Sequence, residues 1–263
     1  AAITKSIKVL EQKWDVKLFH RTTRRVTPTA AGDRLYEKVP GFLSEAENLR
    51  QLALREQAHF RLMCGPVVLD TLVHPALLAL RKQHAESHIT AETKPPLEAM
   101  EDLMARRADL MLIHANTLQA FPYGNRLEIM PIIDEPYLVV CQKGHPVLAS
   151  EKQLADIIPY DWAIAGFDMF FAQTLPTHLV DALQARDFPK YRLLSQTACL
   201  DLVRQSDVLT LVPQRSAHLL TPPRAFDSFV FPGPLRFNVC AAWPRETARS
   251  KIFADFIDAL LPQ

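Results

Sequence analysis

The chain has 263 residues, 48% of them hydrophobic, enough to bury the core of one large domain plus a smaller one. Its formal net charge of +1 excludes a polybasic tail or an acidic disordered chain. No apolar run is long enough to span a bilayer and no secretory signal opens the chain, while four cysteines without a C-x-x-C pair read as buried hydrophobes in a reducing cytoplasm.

The charge is uneven. Residues 1–28 hold seven cations against two anions, an excess of +5 that leaves −4 for the rest, and this asymmetry points to a local anionic partner, nucleic acid before membrane surface. The chain opens at Ala1 inside a helical pattern, and we expect its natural N-terminus to lie upstream. Ile3, Ile7 and Leu10 recur at the spacing of a helix stripe, with Thr4, Lys5, Ser6 and Lys8 on the other sides. Leu18–Arg21 and Arg24–Val26 then read as a small hairpin around Thr22-Thr23. Thr27-Pro28 reads as a helix start, because Thr27 can cap free N–H groups and proline is tolerated at the first helical position. Leu35, Val39, Phe42, Ala46, Leu49 and Ala53 follow at alternating steps of four and three, the seam of a long helix that packs on a partner helix. Pro40-Gly41 interrupts the seam, which predicts a kink or two shorter helices.

From about residue 58 the pattern becomes α/β. Strands are expected at 60–64, 88–92, 109–114, 127–133, 137–141, 162–165, 191–195, 208–212 and 236–243. Helices are expected at 73–84, 96–107, 151–157, 174–186, 198–205 and 249–261, which implies largely parallel sheets.

The run AAITKSIKVLEQKWDVKLFHRTTRRVTPTAAGDRL resembles the second half of the LysR-type winged helix-turn-helix, in Leu10-Glu11, Leu18-Phe19-His20-Arg21, Arg24-Arg25 and Val26 to Gly32. Further on, HFRLMCGP, ARRADLMLI, EPYLVVCQKGHPVL and LVRQSDVLTLVP resemble successive segments of the same family's effector-binding domain. The departures are Ser206, Val208 and Arg106 where glycine is usual, the Pro40-Gly41 break, and the two helices of the DNA module expected ahead of Ala1.

The resemblance implies a periplasmic-binding-protein-like (type II) two-lobed effector-binding domain, preceded by a partial winged helix-turn-helix and a long linker helix. Residues 1–58 would form the DNA end, and residues 59–263 the sensor, with lobe I at about 59–136 and 236–263 and lobe II at about 137–235. It also implies double-stranded DNA as the partner of the complete protein, a small-molecule effector, and self-association as a homodimer or homotetramer. By analogy Thr4, Lys5 and Lys8 face base edges and Arg24 and Arg25 grip phosphate or a narrow minor groove.

In open α/β folds ligands sit beyond the carboxyl ends of strands. That places the effector near Val68 and Leu69, Thr93 and Lys94, His114, Asp168, and Gln196 and Thr197. An anionic metabolite is the natural guest for such helix starts, but the first loop reads Pro66-Val67-Val68-Leu69 without Ser or Thr, which favours an apolar or aromatic effector. His84 and His88 have helical metal-pair spacing, yet no third ligand accompanies them and an exposed helix end is the simpler expectation. Glu101-Asp102 reads as solvated surface. With no nucleophile elbow, phosphate loop or metal motif, the expectation is a regulator with no metal and no cofactor rather than an enzyme. The alternative is a solute-binding protein of the same fold, for which residues 1–35 have no use.

Overall fold

A computed structural model describes residues 2–21, 26–54, 59–168, 177, 180–181, 187–220, 225–247 and 249–261. Thr22-Thr23, the expected wing residues Arg24 and Arg25, and most of the helix expected at 174–186 lie outside the described residues. The chain divides into two compact units, Ala1–Glu56 with Met104–Arg107, and Gln57–Leu103 with Ala108–Gln263.

The first unit begins with helix α1 (Ala2–Trp14), followed by strands β1 (Phe19–Arg21) and β2 (Val26–Pro28) and helix α2 (Ala30–Leu54). β1 and β2 are antiparallel, with His20 opposite Thr27. The described part of the second strand runs from Val26 to Pro28, two residues beyond the expected end at Val26. The helix cap also moves: Thr27 is in the strand, and Thr29 Oγ1 accepts from Gly32 N at 3.1 Å. A Cβ on Gly32 would stand 2.2 Å from the Leu18 carbonyl oxygen, so the close approach of helix start and β1 requires glycine. α2 runs through Pro40-Gly41 as a single helix rather than two.

The second unit is built on strands β3 (His59–Cys64), β4 (His88–Thr93), β5 (Leu110–His114), β6 (Leu127–Gln142), β7 (Ala163–Ala165), β8 (Tyr191–Leu193), β9 (Thr210–Pro213), β10 (Phe226–Val230) and β11 (Arg236–Pro244). The main sheet runs β10-β6-β11-β5-β3-β4 with β9 also on β6, and β7 pairs β8 separately. Among the described residues the parallel strand pairs are β3–β4, β3–β5 and β7–β8, with an isolated parallel bridge between Trp162 and Leu209. β6 and β11 pair antiparallel with their neighbours, so the sheets are mixed rather than largely parallel. β6 joins two expected strands into one of 16 residues: its first part pairs β11, and from Tyr137 onward it pairs β9 and β10.

Burial follows strand periodicity. Phe60, Leu62 and Cys64 lie in one apolar cluster with Leu110, Leu112, Phe237 and the helix α8 (Lys251–Leu260) residues Phe253 and Phe256. The Phe60 ring is 5.2 Å from Phe256 and edge-on to Phe253 at 6.0 Å. Along β6, Val140 enters one cluster while Val139 and Cys141 enter another, as expected for a strand covered on both faces.

Candidate functional site

The three parallel strands β3, β4 and β5 end on the same side. After Cys64, Gly65 and Pro66 start a short helix α3 (Pro66–Val68), which continues through a π turn at Leu69–Val73 into α4 (His74–Leu80). The helical run thus begins seven residues before the expected 73, at a proline in the first helical position. After Thr93, Lys94-Pro95 lead into α5 (Pro96–Met104); after His114, α6 (Ala115–Gln119) begins at once. From the other sheet, β7 ends in Gly166-Phe167-Asp168 and β8 in Leu194. These five strand ends, with Tyr137 of β6 and Leu211 of β9, enclose a cavity of about 590 Å³. That is the size of a small-molecule pocket, in the place where open α/β sheets hold ligands.

Gly166 pinches the cavity. Its φ is +66°, and an added Cβ would stand 2.6 Å from the Pro66 ring, so only glycine lets the β7 end lie against the start of α3.

The walls are mainly carbon. Pro66, Val67, Val68, Pro95, Pro96, Met111, Ile113 and Phe167 contribute, and two leucines at the lining, Leu97 and Leu194, are 52% and 75% exposed. Few polar groups interrupt them. Lys94 Nζ donates to Asp102 Oδ2 at 2.6 Å and lies 3.5 Å from Glu92 Oε2; the Asp102 hydrogen bond, then the two negative charges, raise its pKa. Burial pushes His114 down to about 4, against weaker support from Asn238, so its imidazole is neutral at pH 7. Burial raises the Tyr137 phenol, and the negative charges of Asp168 and Glu135 add to this. Tyr137 and His114 both stand edge-on to Phe237, at 5.7 and 5.5 Å. Cys64 is pushed up to about 12 by burial and by Asp70, and the other three cysteines to about 11 chiefly by burial. All four are free, buried thiols.

Five of the eight expected effector residues line this cavity: Val68, Thr93, Lys94, His114 and Asp168. Three do not. Leu69 packs against the main apolar cluster; Gln196 is buried, with Nε2 donating to the Leu211 carbonyl at 2.8 Å; Thr197 is exposed on helix α7 (Gln196–Gln205). The chain crosses the cavity one step earlier, at Leu194, and Ser195 Oγ is occupied in accepting from Ala198 N. Tyr137, Leu194 and Leu211 join the lining without having been expected there, because a strand interior and a single leucine carry no local signal of a site.

Two surface readings change as well. Asp102 is buried against Lys94 rather than solvated, and His84 bonds Asp255 Oδ2 at 2.8 Å rather than ending an exposed helix. His88 sits in β4, so the two histidines do not share a helix. Among the described residues no group of three or more His, Cys, Asp or Glu is placed to hold a metal, and no helix is long and apolar enough to cross a membrane.

In the first unit Thr4, Lys5 and Lys8 are exposed on α1, as are Lys13, Lys17 and Arg21 along the same stretch. α1 is tied to β1 by Glu11, which is 5% exposed and whose Oε1 accepts from Leu18 N at 2.8 Å and Phe19 N at 3.1 Å. The Leu18 hydrogen bond leads the causes that lower its pKa. Ile3, on the apolar stripe, is 77% exposed.

Residues 54–263 match the LysR substrate binding domain, and residues 1–33 match the bacterial regulatory helix-turn-helix protein, lysR family. The chain belongs to the LysR family. This LysR-family chain is 25% identical over 159 residues to the uncharacterized HTH-type transcriptional regulator YbhD of Escherichia coli, covering 59% of this chain and 48% of YbhD. It thus spans about half the length of the first curated relatives it matches. Among solved structures, full-length OxyR C199D from Pseudomonas aeruginosa superposes with a TM-score of 0.62 at 18% identity, over 98% of this chain and 87% of that one. CbnR complexed with its target DNA superposes with a TM-score of 0.54 at 18% identity, over 98% of this chain and 88% of that one. The two family matches together cover residues 1–33 and 54–263, and the likeness in fold spans 98% of the chain.

Proposed function

We propose that the chain is part of a ligand-gated transcription regulator that works in the cytoplasm and is not an enzyme. One observation carries this reading: a cavity of ligand size, formed where five strand ends meet, belongs to a chain that also presents exposed Thr4, Lys5 and Lys8 on a helix of helix-turn-helix type. In that role Thr4, Lys5 and Lys8 stand at the groove's base edges, while the lysine charges, with Arg24 and Arg25, also neutralise phosphates. The similar structure of CbnR is complexed with its target DNA, which supports the assignment. Four free thiols suit a reducing compartment.

The sensor reading divides 59–263 into lobe I (59–136 and 236–263) and lobe II (137–235), with the effector between them. Among the described residues, one apolar cluster draws chiefly on 60–132 and 235–260 and two others on 139–226, which supports this division. An effector that binds one lobe arrangement better than another shifts that equilibrium and so the placement of DNA modules in an oligomer. Exposed Tyr36, Phe42 and Leu43 on α2 favour a homodimer or homotetramer assembled through that helix. A solute-binding protein of the same fold has no use for α1 or the hairpin.

The test is fluorescence anisotropy with double-stranded DNA at several salt concentrations. Replacing Lys5 and Lys8 by alanine should weaken binding to all sequences and flatten the slope of log K against log salt by roughly 1 for each phosphate no longer neutralised. An unchanged slope and affinity would remove α1 from the DNA interface.

A further inference from the structure

On the division of 59–263 into lobes I and II, one helical run of lobe I leans on lobe II. Its first residues, Pro66, Val67 and Val68, line the cavity, and it continues through the π turn Leu69–Val73 into α4. At its start the Pro66 ring lies against Gly166, so close that a Cβ there would stand 2.6 Å away. Val67 packs both against the lobe I cluster of Phe60 and Phe237 and against the lobe II cluster of Val140 and Ala163. Further along, inside the π turn, Thr71 Oγ1 is 3.1 Å from Ser216 Oγ, a hydrogen bond between positions 145 residues apart in the chain. Ser216 belongs to the 3-10 turn Gln214–Leu220 that follows β9, in lobe II.

This bond differs in kind from its surroundings. Both hydroxyls are buried, in a run that also buries Val68, Leu72 and Val73. Apolar surfaces hold by area and in no set direction, whereas a hydroxyl pair holds one distance and one angle. Its net gain is small, because water takes over both partners once they part. Such a bond selects one arrangement without making it permanent. The turn that carries Thr71 is itself irregular: the His74 N–H reaches back to the Leu69 carbonyl, one residue further than in an α turn.

We propose that Thr71 and Ser216 form a latch between the lobes, which fixes their angle while it is made and frees them to turn about β6 and the return segment 231–236 when it parts. This rests on the two-lobe reading of residues 59–263. A guest pressed against Pro66–Val68 acts on the helical run that carries Thr71, so occupation of the cavity and the state of the latch are linked through a single element.

Double electron–electron resonance tests this in the full chain, with spin labels on Lys82→Cys in lobe I and Gln205→Cys in lobe II. Both positions are exposed, the four native thiols are buried, and dilution with unlabelled chain keeps the measured distance within one molecule. Thr71→Val combined with Ser216→Ala removes both hydroxyls and leaves neither stranded, so the unfolding midpoint should hold. The interlobe distance should nevertheless shift or broaden by about 2 Å or more, the scale of domain rearrangements. Thr71→Ser keeps the hydroxyl and should keep the distance. A distance that Thr71→Ser moves as far as the double variant does would show that volume governs, and overturns the latch. If the double variant leaves the distribution unchanged while the unaltered chain shows more than one interlobe distance, the latch falls and the moving lobes stand. One narrow distance shared by the unaltered chain and the double variant overturns the latch and the gating reading together.

Discussion

The two units use hydrophobic patterning to opposite effect. In the second, almost every apolar residue on a periodic face is buried: Phe60, Leu62, Leu110, Leu112, Phe237 and Phe256 are each at or below 1% exposure. In the first, the stripe of α1 is as regular, yet among the residues of 3–43 whose side chains are described only Glu11, Leu18 and Gly32 are buried. A pattern specifies which face wants cover and does not supply the cover. What holds α1, β1 and the start of α2 together is polar and local instead: Glu11 on Leu18 and Phe19, Thr29 Oγ1 on the Lys17 carbonyl at 2.7 Å, and Thr29 N on the Leu18 carbonyl at 2.9 Å.

The contrast can be broken from either side. Phe60→Ala removes a ring packed between Phe253 and Phe256 and should cost about 4 kcal/mol, the usual scale for an aromatic taken out of a core. The fluorescence of buried Trp162 and Trp243 should report a matching fall in unfolding midpoint, and a shift below about 1 kcal/mol would mean that this core is not the stabilising one. Gly32→Ala forces a methyl against the Leu18 carbonyl and should cost about 2 kcal/mol, confined to the first unit. Hydrogen exchange should show the Thr29 amide losing protection roughly tenfold or more while second-unit amides hold theirs; equal loss in both would erase the distinction. The smallest effect sharpens it. Arg106 has φ +59° at a position where the LysR pattern has glycine, so Arg106→Gly should relieve strain and stabilise the fold by about 1 kcal/mol in chemical denaturation. No gain would show that the backbone there is not strained.

Much of the architecture is legible in the residues because the second unit's strands are short apolar runs bounded by turns. The misses have specific causes. Asp134-Glu135-Pro136 reads as a break, but the two carboxylates bond Arg236 and Arg215 and the proline lies in register opposite Arg236, so β6 continues. β10 is hidden because Asp227 and Ser228 dilute a five-residue alternation whose inward residues show only against β6. The LysR pattern has glycine at position 206, yet Ser206 is extended, with φ −153°, a conformation open to any residue. The site is half visible: strand ends announce themselves, and so Thr93, Lys94, His114 and Asp168 can be found from the chain alone. Tyr137 and Leu211 enter through the pairing of distant strands, which no local pattern encodes.

β6 has a mechanical consequence. Its first part pairs β11 and its second part β9 and β10 without a loop between, and the return segment lies beside it, with Phe231 N on the Tyr137 carbonyl at 2.8 Å. Two hydrogen-bonded ribbons side by side act as a leaf spring, stiff to sliding and compliant to twist. Tyr137 stands where β6 exchanges β11 for β9 and also lines the cavity, so a guest that displaces its ring would act on the ribbon at that exchange.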